Sequence, residues 1–236
     1  MRDTHRTSSE RTEFEVRWSS RFLGWNVLFM FLLFLVYAAT AVFASGYFRL
    51  LGLALAIVFA VLHCGFEPCS ALEAAGSGRS RFNRLMALIG ECTLSIHDLS
   101  RVELDTHTKL PRFNMPWELG VCMGAREFGD KTQQKKDFLI LERSRGDCFA
   151  SCSDLGGIDP EAHGNSPVSV IQHVRVWLTG HAKNSLAGPE AINSDYKSFQ
   201  RDLPGILETP RIRRDEMTFV DLRRAVKAWL AARPKA

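Results

Sequence analysis

Side chains capable of chemistry crowd two short stretches of this chain. The first is Ser95-Ile96-His97-Asp98-Leu99-Ser100-Arg101-Val102-Glu103-Leu104-Asp105, and the second is Pro111-Arg112-Phe113-Asn114-Met115-Pro116-Trp117-Glu118-Leu119-Gly120. Carboxyl groups such as Asp98 and Glu118 can share acid, base or nucleophile work. Arg101 and Arg112 can grip a phosphate or a neighbouring carboxylate through the guanidinium fork. Asn114 offers a donor and an acceptor to a hydroxyl or to a base edge. Apolar segments flank both stretches, a pattern foreign to a core helix and to a disordered tail. It reads as two polar loops at the ends of buried elements, where α/β proteins place their chemistry.

The elements that must position these loops alternate along the chain. Phe66 to Leu72 suits a short strand, and Gly76-Ser77-Gly78 a loop. Arg81 to Glu91 has helical spacing, with Phe82, Leu85, Met86, Leu88 and Ile89 apolar. Cys92 to Ile96 reads as a strand that delivers His97 and Asp98 at its C-terminal end. Pro116 suits the first turn of a helix running to about Arg126. Asp137 to Leu141 is the next strand, and Val168 to Leu178 an amphipathic helix. From Gly188 onward the pattern turns helical and polar, over 195–203 and again over 218–232. This alternation predicts an α/β fold, an open and mostly parallel sheet with helices on both faces, over residues 31–180. A lead-in segment, 1–30, precedes it and a helical C-terminal extension, 181–236, follows.

The N-terminal third supports two readings. Phe22 to Phe48 contains no charged residue, and Leu50 to Phe66 is nearly as apolar. A helix over 22–44 would be roughly 34 Å long, enough to cross a bilayer core. Arg11, Arg17 and Arg21 before it, with Arg79, Arg81 and Arg84 after the second run, would keep both flanks of a hairpin cytoplasmic. The competing reading makes part of 32–40 a buried parallel strand and 49–64 the helix packed on it, since central strands and their covering helices can be apolar throughout.

A further resemblance rests on several motifs. They are Gly-Phe-Glu-Pro (65–68), Ala-Leu-Glu (71–73), Ser-Ile-His-Asp-Leu-Ser-Arg-Val-Glu-Leu (95–104), Pro-Arg-Phe-Asn-Met-Pro-Trp-Glu-Leu-Gly (111–120), Ser-Asp-Leu-Gly-Gly-Ile-Asp (153–159) and Val-Arg-Val-Trp-Leu (174–178). Together they resemble a bacterial family akin to the TIR-like and nucleoside 2-deoxyribosyltransferase-like α/β group. The resemblance runs from about residue 50 to the C-terminus and favours the strand-and-helix reading of the apolar third. Upstream the chain departs from the family, with Ser45-Gly46-Tyr47 where a polar, acidic loop is expected. The resemblance implies a pocket at the C-terminal strand ends, cleavage or transfer at an N-glycosidic bond, Glu118 as nucleophile by its Glu-Leu-Gly context, and Asp98 handling the base.

The residues bear on that expectation independently. N-glycosidic cleavage passes through an oxocarbenium-like state, which a carboxylate beside the anomeric carbon can trap or stabilise, while a second acid protonates or orients the leaving base. A glutamate near a helix start has its carboxylate stabilised by the helix dipole, which favours a nucleophilic or electrostatic role. Arg101, Arg112, Asn114 and His97 are the candidate substrate contacts. Each has a plainer alternative. Glu118 as a first-turn glutamate complements the dipole without chemistry. Asp98 caps its loop or pairs with Arg101 or Arg112, and His97 after an apolar strand is a hydrogen-bonded structural histidine. Glu103 and Asp105 are solvated loop charges, Arg112 and Asn114 hold the loop over 99–115, and Asp154-Leu155-Gly156-Gly157 is a tight turn.

Composition narrows the classes. The chain has 236 residues, 46% hydrophobic, and a net charge of +4 with scattered arginines, which gives nucleic-acid binding little support. Six cysteines (64, 69, 92, 122, 148, 152) show no disulfide or zinc-site spacing and read as reduced thiols of a cytoplasmic protein. There is no Walker A sequence. The expectation is therefore a protein without a metal or bound cofactor, taking NAD, a nucleoside or a nucleotide as substrate or ligand, with homo-oligomers left open. The alternative is a non-catalytic nucleotide-sensing or protein-interaction module, tethered to an inner membrane through 22–66 if the hairpin reading holds.

Overall fold

Among the described residues, five short segments form one parallel sheet. A computed structural model describes residues 28–31, 44–70, 73, 80–100, 113–155 and 157–233. The strands are β1 (Leu28–Phe31), β2 (Glu67–Cys69), β3 (Leu94–Asp98), β4 (Asp137–Glu142) and β5 (Glu161–Ala162), in the order β2-β1-β3-β4-β5. All four pairings are parallel, with Met30 beside both Cys69 and Ser95, Asp98 beside Leu141, and Glu142 beside Ala162. The order changes direction between β1 and β3, so their C-terminal ends flank the switch point at which such sheets bind ligands.

The α-helices among the described residues are α1 (Ala44–His63), α2 (Arg81–Glu91), α3 (Asn114–Phe128), α4 (Asp147–Ser151), α5 (Pro167–Thr179), α6 (Pro189–Glu208) and α7 (Phe219–Ala231). The strand period of two assigns the faces. Leu94 and Ile96 of β3, with Leu139 and Leu141 of β4, pack into the cluster formed by α1 and α5. The intervening Ser95 meets Cys122 of α3, Oγ to Sγ 3.4 Å, and Ile140 packs with Leu119 of α3. Both faces are covered, which is why Ser95 and His97 are buried along with Leu94 and Ile96 although β3 alternates apolar and polar residues.

Helix α1 resolves the N-terminal ambiguity. Leu53 to Val61 are almost wholly buried, enclosed by the sheet, α5, α6 and α7 in one cluster. A helix apolar all round belongs in a core or a bilayer, and here protein surrounds it. Leu28–Phe31 is hydrogen-bonded to a strand on either side, which excludes a membrane helix over 22–44. The hairpin reading is thereby corrected for both of its arms. Among the described residues no helix is long and apolar enough to cross a membrane. The strand expected within 32–40 lies outside the described residues; β1 precedes it.

The C-terminal helices are part of the same core. Tyr196, Phe199, Leu203 and Leu207 of α6, with Phe219, Leu222, Ala225 and Val226 of α7, pack in the cluster that holds α1. Thr218 and Asp221 form a capping box at the start of α7. Arg223 of α7 reaches the carbonyl of Pro68 at 3.1 Å and the carboxylate of Glu73 at 2.7 Å, and Lys227 reaches Glu67 at 2.6 Å, clamping the helix to the β2 edge.

Candidate functional site

Three C-terminal strand ends meet around a buried polar knot. Asp98 ends β3, and its Oδ1 accepts from the Ser100 backbone N–H at 3.0 Å and from the Ser100 hydroxyl. His163 follows β5, where its backbone N–H donates to Glu142 at 2.9 Å. The His163 Nε2 stands 3.5 Å from Asp98 Oδ1 and 3.3 Å from Ser100 Oγ. On the other side of the ring, the Asn165 N–H donates to Nδ1 at 3.0 Å. Gly164 (φ 55°) and Asn165 (φ 58°) are both left-handed, a bend that turns the Asn165 N–H back onto the ring.

This network fixes the histidine tautomer. Nδ1 is an acceptor, so the single ring proton is on Nε2, facing Asp98 and Ser100. An Nε2–H cannot take a proton from the Ser100 hydroxyl, so the Asp98–Ser100–His163 group is not a serine-nucleophile triad. It ties the end of β3 to the β5–α5 turn. Asp98 Oδ2 accepts nothing from the described residues, and the side chain keeps 20% exposure.

Glu142 closes the neighbouring turn. Its carboxylate is wholly buried and accepts the N–H groups of Gly146 at 2.8 Å and Cys148 at 3.0 Å. Both donors lie at the start of α4, so this carboxylate satisfies backbone groups that would otherwise be orphaned.

Glu118 is placed differently from the sequence expectation. Helix α3 starts at Asn114, with Pro116 inside its first turn, so Glu118 falls beyond that turn. Its side chain is buried at 5% exposure, and among the described residues no hydrogen bond reaches it. Burial pushes its carboxyl up to about 7, partly opposed by the Arg81 guanidinium at the start of α2. The dipole argument for a lowered, strongly ionised carboxylate is corrected: desolvation wins, because the dipole's influence fades beyond the first turn. Leu119, the residue after Glu118, packs with Leu99, Ile140 and Cys148 on the α3 side of the sheet. By the strand period Asp98 shares the face of Leu94 and Ile96, where it meets His163.

His97 is entirely buried beside Phe138, its Nε2 2.9 Å from Ser95 Oγ. Its Nδ1 has no hydrogen-bond partner among the described residues, and burial lowers its pKa to about 3, so the ring is neutral. Asn114 is exposed at the start of α3. Arg101, Arg112, Glu103 and Asp105 lie outside the described residues, as do Gly76 and Gly156. Burial pushes the Cys64 thiol up to about 12 and Cys148 up to about 11, which leaves both protonated and poor nucleophiles. Among the described residues no cluster of three or more His, Cys, Asp or Glu side chains could hold a metal ion.

Sequence reasoning missed Ser100, Glu142 and His163 as partners in this region. The Gly164-Asn165 pair was the available signal for His163, since both residue types tolerate the left-handed bend. No protein-family model matches the chain, and no curated protein matches it.

Proposed function

We propose that this protein cleaves or transfers at the N-glycosidic bond of a nucleoside, a nucleotide or NAD, with Glu118 as the principal acid–base group. The observation that carries the proposal is a carboxyl buried near the C-terminal end of a central parallel strand, unpaired by any described donor and held near 7. A group titrating near neutrality suits proton transfer at physiological pH. With a nucleoside or nucleotide, Glu118 gives its proton to the departing base as the glycosidic bond breaks. Water or an acceptor hydroxyl then captures the oxocarbenium-like sugar and returns a proton to Glu118. With NAD, whose nicotinamide leaves as a neutral ring, Glu118 starts as the carboxylate that takes the proton of the attacking water. Asp98, whose Oδ2 accepts nothing from the described residues, is the carboxylate that meets positive charge on the sugar. The α/β class is the coarse part of what the TIR-like and deoxyribosyltransferase-like resemblance implies, and the resemblance enters the reading as analogy.

The test is base release from NAD and a panel of nucleosides and nucleotides, followed by chromatography with wild type and Glu118→Gln. The expected result is release by wild type alone. A second reading, a nucleotide-sensing module, draws on the Asp98 knot, where Ser100 and His163 occupy one carboxylate oxygen. Ligand binding without release by wild type would select it.

A further inference from the structure

Two aromatic side chains stand uncovered at the point where α2 approaches α3. Phe82 is 56% exposed and Trp117 44%, their ring centroids 5.8 Å apart at 39°. Phe59 and Phe199 are buried, and Phe113, at the start of α3, is a third exposed ring at 66%. Phe82 and Trp117 are each next in sequence to a charged residue of the candidate site: Phe82 follows Arg81, and Trp117 precedes Glu118. Arg81 is also the charge that acts on Glu118 across the two helices. The same pair of helix positions therefore supplies two exposed ring faces and, next to them in sequence, a carboxyl and a guanidinium.

We propose that Phe82 and Trp117 form a stacking shelf for the planar heteroaromatic base of the substrate, with Glu118 and Arg81 at its rim. The proposal rests on the glycosidic reading in placing the leaving base beside Glu118. Stacking accounts for exposed rings, because a flat ligand restores the apolar contact that water denies them. A carboxyl at the shelf's edge can donate to a ring nitrogen or a carbonyl of the base, which gives the stacked ring an orientation. A protein partner fits less well. With the partly exposed Met86 and Phe113, the patch amounts to roughly 400 Å², taking about 200 Å² for a whole aromatic side chain, against about 800 Å² per partner in a stable interface.

The experiment titrates the full-length protein with NAD and with inosine by calorimetry, using ribose 5-phosphate as the ligand that lacks a base. Wild type is compared with Trp117→Ala, Trp117→Phe, Phe82→Ala and Glu118→Gln. These rings are on the surface, so the truncated variants should melt with wild type. The shelf predicts that Trp117→Ala weakens NAD or inosine binding roughly 5- to 150-fold. Trp117→Phe should recover most of the loss, and ribose 5-phosphate should respond to neither change. Unchanged affinity in Trp117→Ala overturns the shelf, as does the absence of NAD and inosine binding by wild type. A wild-type dimer that Trp117→Ala dissolves in sedimentation assigns the patch to a second copy and also overturns it. Trp117-dependent base binding without turnover by wild type upholds the shelf and removes the enzyme reading. Turnover whose KM ignores Trp117 does the reverse.

Discussion

Burial moves Glu118 and His97 in opposite directions, and their contributions to stability oppose each other. Glu118 titrates at about 7 in the folded protein against 4.5 for the exposed group. The folded state therefore holds its extra proton between those values, and stability falls as pH rises through them, by about 3 kcal/mol in all. His97 is lowered to about 3 from 6.5. The unfolded chain takes up that proton first, so stability is lost as pH falls from 6.5 towards 3. From 4.5 to 6.5 the two slopes cancel. Urea melts across pH 4 to 8 should give a plateau there for wild type, provided no other group intervenes. Glu118→Gln should turn the plateau into a rise with pH of about 1.4 kcal/mol per unit, and His97→Asn into a fall of similar size. Activity separates the roles of Glu118. As a proton donor to a nucleoside's base it predicts a rate on that substrate that declines above about pH 7, and a pH–rate profile rising through 7 there would return it to the nucleophile role.

Helix α1 gathers the aromatic packing of the core around one residue, Phe59. Phe59 lies within 5.4 Å of both Tyr196 and Phe199, 5.7 Å of His63 and 5.8 Å of Trp229, centroid to centroid. Phe59→Ala should cost about 3–5 kcal/mol in a denaturant melt, because four rings from three helices cannot close one cavity together. Periodicity made α2, α5 and α7 legible, since each has an apolar stripe and a polar face. It could not separate α1 from a membrane span, because a helix with no water-facing side has no stripe. Helix α6 runs through Pro204 to Glu208, past the expected end at 203. Proline removes one hydrogen bond, but buried Leu203 and Leu207 hold the turn on either side of it. The two-residue β5 was invisible at its length. In the candidate site, the motif context singled out Asp98 and Glu118, while the direction of the Glu118 shift depends on its burial, which spacing along α3 does not report.

At the scale of the whole molecule, the helices after residue 180 complete the core. Without α6 and α7, α1 would present Phe59 and its neighbours to water along one side. A chain ending at residue 180 should therefore lose cooperative unfolding and bind a hydrophobic dye, where a separate extension would leave the melt unchanged. The Arg223 and Lys227 contacts to Glu67 and Glu73 are partly exposed and should add little beyond orienting α7. The position of α1 also sets a schedule. It ends at residue 63, whereas the last helix that covers it ends at residue 231. Ribosomes adding about 5–20 residues per second leave roughly 8–35 s between the two. For that interval the nascent chain cannot finish covering α1, and the side of the helix that α6 and α7 close stays open until translation is nearly over.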